Sequence, residues 1–210
     1  MVVMRRASES DFNFIMSEYD DEVRLLRFNG VEALSELFNF KLRFAVLDSE
    51  LNFDTIVGSS AYISIYGETG ERYVNGIISQ LSQAGQRNDY TIYSAELVPK
   101  FWLLTLRQNS RIFQEKTVEE IITQIFEDNN IPSDMYRFSL NANHIQREYC
   151  VQYRESDFNF IARLMEEEGI FYFFEHDDEK HVMVIGDNSG IFIQDDSSTV
   201  SFNAQAGMVQ

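Results

Sequence analysis

The segment FKLRFAV, from Phe40 to Val46, constrains the fold of this 210-residue chain more than any other stretch. Its large apolar residues occupy every second position and cations lie between them: Phe40, Leu42, Phe44 and Val46 against Lys41 and Arg43. Successive side chains of a β-strand point to opposite faces, so this alternation creates one apolar face and one charged face. The segment is therefore predicted to be a half-buried antiparallel strand.

The same two-residue period recurs in short segments that are separated by turn-forming residues. The predicted strands are Phe12–Ile15, Val23–Phe28, Ala61–Gly67, Arg72–Leu81 and Asp89–Val98, with turns at Asp20-Asp21, GETG (67–70) and QAGQRN (83–88). The 18 Phe and 10 Tyr residues also favour half-buried pleated surfaces. Regular short strands with turns between them predict a closed β-barrel or a sandwich.

The period changes to that of a helix in TVEEIITQIFEDNNIP, which begins at Thr117. Its apolar residues fall three or four positions apart: Val118, Ile121, Ile122, Ile125 and Phe126. Thr117 and Glu120 have the spacing of a capping box, and Pro132 ends the segment. We predict a helix that starts after Thr117.

The heptapeptide ESDFNFI occurs twice, at Glu9–Ile15 and again at Glu155–Ile161. The second copy has Ser156 as an N-cap and Gly169 as the residue after the helix end. One helical stripe is predicted, namely Phe158, Ile161, Ala162 and Met165. The flanks of the two copies differ, so we interpret the repeat as a coincidence. An extended first copy and a helical second copy are predicted.

Two later segments also read as strands. IFYFFEH and HVMVIGD are predicted to form a hairpin across the turn DDEK (177–180). From Asp195 to Gln210 the strand-like alternation resumes and then stops. That ending is typical of the beginning of another domain, and it favours a fragment of a longer chain.

The chain is strongly acidic, with 34 Asp and Glu against 17 Lys and Arg and a formal net charge of -17. Such a charge repels phosphate backbones and anionic lipid head groups. Nucleic acid and membrane surfaces are therefore not expected partners, and a basic protein partner remains open. No apolar run has the length of a secretory signal or of a membrane span, so no membrane anchor is expected.

Few residues offer catalytic chemistry. The single cysteine, Cys150, lies in the strand-like run EYCVQY, where an inert buried thiol is the expected state. It excludes an intrachain disulfide, which fits folding in the cytoplasm. A Cys-His hydrolase would need a partner such as His144, which falls in a polar loop without an orienting motif.

The remaining candidates also have simpler interpretations. His176 and His181 flank the DDEK turn and could face each other, but their spacing matches no strong metal motif, and a solvated hairpin tip is the favoured interpretation. Glu166–Gly169 (EEEG) reads as a solvated helix end whose carboxylates do not converge. Gly67 and Gly70 lie in a hairpin turn, not in a phosphate loop. We therefore predict no enzyme activity, catalytic residue, cofactor or metal.

Three long blocks resemble the VgrG family, the spike proteins of type VI secretion systems. They are REYCVQYRESDFNFIARLMEEEGIFYFFEH, LVPKFWLLTLRQNSRIFQEKTVEEII and FNGVEALSELFNFKLRF. They occur in the family's order and spacing and together cover nearly the whole chain. The resemblance implies the N-terminal region that is similar to contractile phage baseplate hubs.

The implied fold is mainly β with α/β segments (α+β). A first β-barrel is expected over residues 1–110, an α/β segment with two helices and a hairpin over 111–190, and the incomplete start of a second barrel over 191–210. The family's later parts, an oligonucleotide-binding-like barrel and a β-needle, are not in this sequence.

The implied function is mechanical. Three copies of the full-length protein would form a ring that caps the hexameric Hcp tube, contacts baseplate components and carries effectors or PAAR-type tip proteins into a target cell. Assembly would take place in the cytoplasm and export through the secretion system, without a signal peptide. The alternatives are a phage or phage-like contractile tail hub and a Cys150- or His176/His181-dependent hydrolase.

Overall fold

The computed structural model describes residues 11–47, 50–67 and 70–192. In these ranges the strands are β1 Phe12–Met16, β2 Val23–Val31, β3 Asn39–Leu47, β4 Ser60–Gly67, β5 Gly70–Arg87, β6 Tyr90–Val98, β7 Gln108–Lys116, β8 Tyr136–Ser139, β9 Arg147–Ser156, β10 Phe171–His176 and β11 His181–Gly186. The α-helices are α1 Phe53–Ile56, α2 Val118–Asp128 and α3 Asp157–Glu167, and short 3-10 turns cover Lys100–Thr105, Ser133–Met135 and Ser189–Ile191. The fold is mainly β with α/β segments, as the sequence predicts.

Six strands form one antiparallel sheet in the order β1-β4-β5-β6-β3-β2. The sheet curls until its edge strands approach each other, and the rings of Phe12 and Phe28 lie 5.2 Å apart. No ladder joins β1 to β2 within the described ranges, so the sheet forms a half-barrel there. The alternation in β3 is confirmed, because Phe40 and Phe44 are buried and Lys41 and Arg43 are exposed.

The turn predicted at QAGQRN is wrong. β5 continues through this segment to Arg87, and only Asn88 and Asp89 form the turn. Gly85 adopts a φ of +152° where the register with β6 shifts, so the glycine sits in a bulge and the strand continues. At the GETG turn Gly67 pairs with Gly70, and the two residues between them lie outside the described ranges.

A second core forms around α2 and α3, which pack with the β7-β9 ribbon and with the sheet β10-β11-β8. Both predicted helix starts are confirmed. Thr117 and Glu120 form the complete capping box, and Oγ of Ser156 accepts a hydrogen bond from the Asn159 N–H at 3.1 Å. Gly169 follows α3 with a φ of +69°, as its predicted position requires.

The helical stripe predicted for α3 is partly wrong. The buried apolar residues are Phe160, Ile161, Leu164 and Met165, whereas Phe158 and Ala162 are half-buried. The buried face of α3 is centred nearer to Phe160 than the predicted stripe is. The ring of Phe160 stacks on that of Phe113 in β7, with 5.6 Å between the centroids. No helix in the described part of the chain combines the length and apolar character needed to cross a membrane.

The two copies of the heptapeptide have different conformations, as predicted. Phe12–Ile15 belongs to β1, and Phe158–Ile161 belongs to α3. The β10–β11 hairpin is also confirmed, and β11 pairs in parallel with β8. The predicted strand-like tail from Asp195 lies outside the described residues, and the domain boundaries stay a prediction.

Gly30 provides a test of packing in the half-barrel, because it pairs with Phe40 and the Phe40 ring covers it. A Cβ at this position would overlap that ring. We expect Gly30→Val to lower the free energy of unfolding by about 1–3 kcal/mol, since overpacking displaces the ring. Urea denaturation measures the change.

Asn29→Val is the control, because Asn29 is exposed on the same strand. Its effect should stay within about 0.5 kcal/mol. Equal effects of the two substitutions would contradict the packing argument.

Candidate functional site

The β10–β11 hairpin contacts the six-stranded sheet and the 3-10 turn that follows β6 through two histidine rings. Nδ1 of His176 accepts a hydrogen bond from the backbone N–H of Asn75 at 3.0 Å, and Nε2 of His181 accepts one from the N–H of Lys100 at 3.1 Å. The side chain of His176 is 6% exposed, and His181 is 3% exposed. The predicted solvated tip is therefore wrong for the histidines, because each ring is buried against the sheet as an acceptor.

Phe38 lies at the centre of this contact. Its ring centroid is 5.1 Å from those of Phe174 and His176 and 5.8 Å from that of His181. The side-chain amide of Asn75 donates to the backbone oxygens of the hairpin turn, at 2.6 Å to Asp177 and 3.3 Å to Lys180. Aromatic packing and side-chain hydrogen bonds thus join the two cores, and we call this set of residues the joint.

The charge state of the joint follows from its burial. Burial lowers the pKa of His181 to about 3, and the neighbouring His176 and Lys100 side chains lower it by smaller amounts. Nε2 of His176 has no hydrogen-bond partner among the described residues and lies 3.5 Å from Oε1 of Glu32, an ion-pair distance. The pKa of Glu32 is lowered, first by this contact and, against the opposing effect of burial, by Arg72. Because its pKa is low, His181 is neutral at neutral pH, and its Nε2 can accept the hydrogen bond from the Lys100 N–H.

A buried carboxylate connects the elements of the α/β segment through hydrogen bonds. The side chain of Asp157 is fully buried and accepts hydrogen bonds from Asn109 at 2.9 Å, Gln152 at 2.8 Å, Asn129 at 3.0 Å and Arg111 at 2.8 Å. Burial raises the pKa of this carboxyl, but the donors and the Arg111 charge outweigh burial and hold the pKa below its usual value. One side chain thereby links β7, β9, α2 and α3.

From the sequence alone, Asp157 is interpreted only as a negative charge in the first turn of α3. The sequence nevertheless contains one sign of a buried polar cluster. Gln152 lies at an inward position of the strand-like run EYCVQY, where a polar side chain needs a buried partner, but no strand was predicted around Arg111. The distance in sequence between these residues hid their convergence.

The EEEG carboxylates do converge, contrary to the prediction. Glu167 and Glu168 both bind Arg147, at 2.8 and 2.7 Å. The guanidinium group holds two donors in a fork, so it spans carboxylates at the end of α3 that point in different directions. The pKa of each carboxyl is lowered, first by its hydrogen bond from Arg147.

His144 and Cys150 do not form a nucleophile–base pair. The ring nitrogens of His144 contact Oε2 of Glu168 at 3.2 Å and Oδ2 of Asp187 at 3.3 Å, so carboxylates orient the ring that was predicted to lack an orienting group. Cys150 is buried on β9 opposite Phe113, and burial raises the pKa of its thiol. A neutral thiol is a poor nucleophile.

The described residues contain no cluster of three or more metal-ligating side chains. What the geometry shows in these residues is aromatic packing and hydrogen bonds that connect the two cores and the elements of the α/β segment. The absence of catalytic and metal-binding residues over the whole chain stays a prediction.

The family follows from the match with a family model. The model described as phage tail baseplate hub (GPD) matches residues 31–210. This chain belongs to the phage tail baseplate hub family. The half-barrel, the α/β segment and their joint are therefore parts of a hub fold.

Relatives of this hub chain carry type VI secretion names. It is 34% identical over 186 residues to the type VI secretion system spike protein VgrG4b of Pseudomonas aeruginosa. The match covers 89% of this chain and 23% of that protein. The actin cross-linking toxin VgrG1 of Vibrio cholerae is 36% identical, with 81% of this chain and 16% of that protein covered.

A solved structure shares the hub fold. The Escherichia coli c3393 protein is described as a type VI secretion component with structural similarity to the T4 bacteriophage tail proteins gp27 and gp5. It superposes with a TM-score of 0.81 at 24% identity, covering 87% of this chain and 51% of that chain. This likeness shows the fold. The hub chain spans less than a quarter of VgrG4b and about half of the c3393 chain.

The repeat supplies a matched test of the Asp157 network. Asp157→Asn removes the charge and turns one acceptor into a donor that faces other donors, so we expect the free energy of unfolding to fall by about 3 kcal/mol. Asp11→Asn changes the exposed equivalent in the first copy and should change it by less than about 0.5 kcal/mol. Urea denaturation near neutral pH makes the comparison, and similar losses would count against the network.

The buried state of His181 in the joint predicts that the free energy of unfolding falls at acid pH. His181 binds a proton near pH 6.5 when unfolded and near pH 3 when folded, so its contribution to stability is complete above 6.5 and is lost as the pH falls toward 3. His181→Gln keeps an acceptor oxygen and removes the titration. Between these pH values the wild-type chain should lose up to about 1.4 kcal/mol per pH unit more than the variant.

Denaturant titrations across this pH range measure both proteins. Parallel stability curves for the wild-type chain and His181→Gln would show that His181 is not the buried neutral acceptor.

Proposed function

We propose that this baseplate hub chain is the structural hub of a type VI secretion spike, which caps the Hcp tube and carries effectors into target cells. The observation that supports the proposal most is the identity with VgrG4b, which extends over 89% of the chain. The proposed assembly is a ring of three copies of the longer spike protein on the hexameric tube, with baseplate components around it. It forms in the cytoplasm and leaves with the spike.

The joint suits this role. A hub transmits the thrust of a contracting sheath, so its parts must move as one body. Buried aromatic packing around Phe38 and two buried histidine hydrogen bonds resist sliding between the cores. The Asp157 network does the same between the helices and the β7-β9 ribbon.

A phage-like contractile tail hub is the second candidate, and the description of the matching family favours it. An enzyme is the third candidate. The toxin name of VgrG1 gives this candidate little support, because the chain covers only 16% of that protein.

Deletion of the gene that encodes this chain is the test. We expect release of Hcp into the culture medium to stop, because a tube without its spike is not exported. Restoring the gene should restore release. Unchanged Hcp release, together with loss of phage-like tail particles, would favour the second candidate.

Restoring the deleted gene in its Cys150→Ala form tests the enzyme candidate. Because Cys150 is a buried thiol without a base, the variant should restore Hcp release fully, with circular dichroism confirming its fold. A folded variant that fails to restore the function would support catalysis.

A further inference from the structure

Cations collect on one face of this acidic chain. The outward face of the half-barrel carries Arg24 and Arg27 of β2, Lys41 and Arg43 of β3 and Arg87 of β5. We call these residues the cation face. It holds five of the 17 Lys and Arg residues of a chain that has 34 Asp and Glu. The chain therefore carries a local group of cations although its net charge is -17.

At the centre of the cation face two like charges are direct neighbours. Arg27 of β2 and Arg43 of β3 are cross-strand partners, and both are exposed. No carboxylate within the described ranges forms an ion pair with either guanidinium. Like charges directly opposite each other destabilise a sheet. The arrangement therefore weakens the isolated chain, and carboxylates from outside would relieve it.

The cation face contains a groove and is partly apolar. The groove has a volume of about 310 Å³ and lies between the two arginines, Lys41 and Ser94, with Glu96 of β6 as an acidic neighbour. Beside it lie Leu26, which is 53% exposed, and the apolar residues Ala45 and Ile92. Arginine donors around a groove next to an exposed leucine are typical of a protein interface.

We propose that the cation face docks the carboxylate-rich surface of a second copy of this chain. The charges argue for this occupant, because one chain carries both a compact positive face and an excess of acidic side chains elsewhere. Contacts between unlike faces of identical subunits generate rings when the rotation closes. The inference rests on the proposed ring-forming hub and assigns a surface to the subunit contact.

Nucleic acid fits this face less well. Arg24 is already paired with Glu22 at 3.0 Å, and Lys41 lies 3.9 Å from Glu96. Only Arg27, Arg43 and Arg87 remain for a phosphate backbone, which the acidic chain repels along its whole length. A second copy carries the same net charge, but it can place single carboxylates against Arg27 and Arg43.

The first experiment replaces Arg27 and Arg43 together by Gln. Sedimentation velocity at fixed salt measures self-association, and thermal unfolding measures stability. We expect self-association to weaken roughly tenfold, as when two charge pairs are lost. The unfolding midpoint of the dilute monomer should rise, because the repulsion between the two cations is gone.

Arg137→Gln/Arg163→Gln is the matched control. It changes the net charge equally but removes cations whose carboxylate partners, Glu175, Glu155 and Glu167, lie in the same chain. Its self-association should match the wild type, and its midpoint should fall. Equal weakening in both variants, or a wild-type chain that is monomeric at every concentration, would overturn the proposal.

A second experiment identifies the contact. Unlabelled and ¹⁵N-labelled copies are mixed and treated with a carbodiimide, which couples lysine amines to nearby carboxylates. Mass spectrometry should find Lys41 joined to acidic peptides of the other isotope. Mixed-isotope pairs that avoid Lys41 would overturn the assigned surface.

Hcp release, measured separately, distinguishes the two proposals. Intact release in the Arg27→Gln/Arg43→Gln strain, with unchanged self-association, rejects the docking surface and keeps the hub. A DNA oligonucleotide bound by the wild-type chain and lost in this variant, without self-association, would overturn protein docking.

Discussion

Two imidazole nitrogens accept backbone hydrogen bonds where the two cores meet. Nδ1 of His176 accepts from Asn75 of β5, and Nε2 of His181 accepts from Lys100 in the 3-10 turn after β6. An imidazole can accept at a given nitrogen only while that nitrogen carries no proton, so the contact requires a neutral ring at His181. Phe38 excludes water from the contact and lowers the local polarity that a charged ring would need. Aromatic packing and charge state therefore support each other in the joint.

The Asp157 network follows the opposite electrostatic principle. The joint keeps a basic group neutral by burial, whereas the network keeps an acidic group charged by surrounding it with donors. A buried charge is costly unless each of its oxygens is satisfied, and four side chains from three other elements satisfy this one. The network specifies where α3 begins relative to the β7-β9 ribbon, which a purely apolar contact would leave less defined.

Charge distribution connects the fold to assembly. A strand with one apolar face must place its polar side chains on the other face, and β3 places Lys41 and Arg43 there. Sheet pairing then brings Arg27 of β2 beside Arg43. If a second copy supplies carboxylates, they offset the repulsion between Arg27 and Arg43. The pair that destabilises the monomer would then favour one particular contact between copies in a ring.

The sequence by itself determined the elements whose cause is local. Alternation placed Phe40 and Phe44 inward, and the cap at Ser156 made the second ESDFNFI a helix although the first is a strand. Long similar blocks also identified the hub family, because extended patterns are specific where single residues are not. Tertiary structure decided what depends on contacts between distant segments. The tertiary contacts bury the rings of His176 and His181 and extend β5 through the turn expected at Gly85. They also make Asp157 a buried carboxylate at the centre of a hydrogen-bond network. A side chain's exposure and charge depend on neighbours that may be 100 residues away, as Asn75 and His176 are, and no local pattern encodes those neighbours.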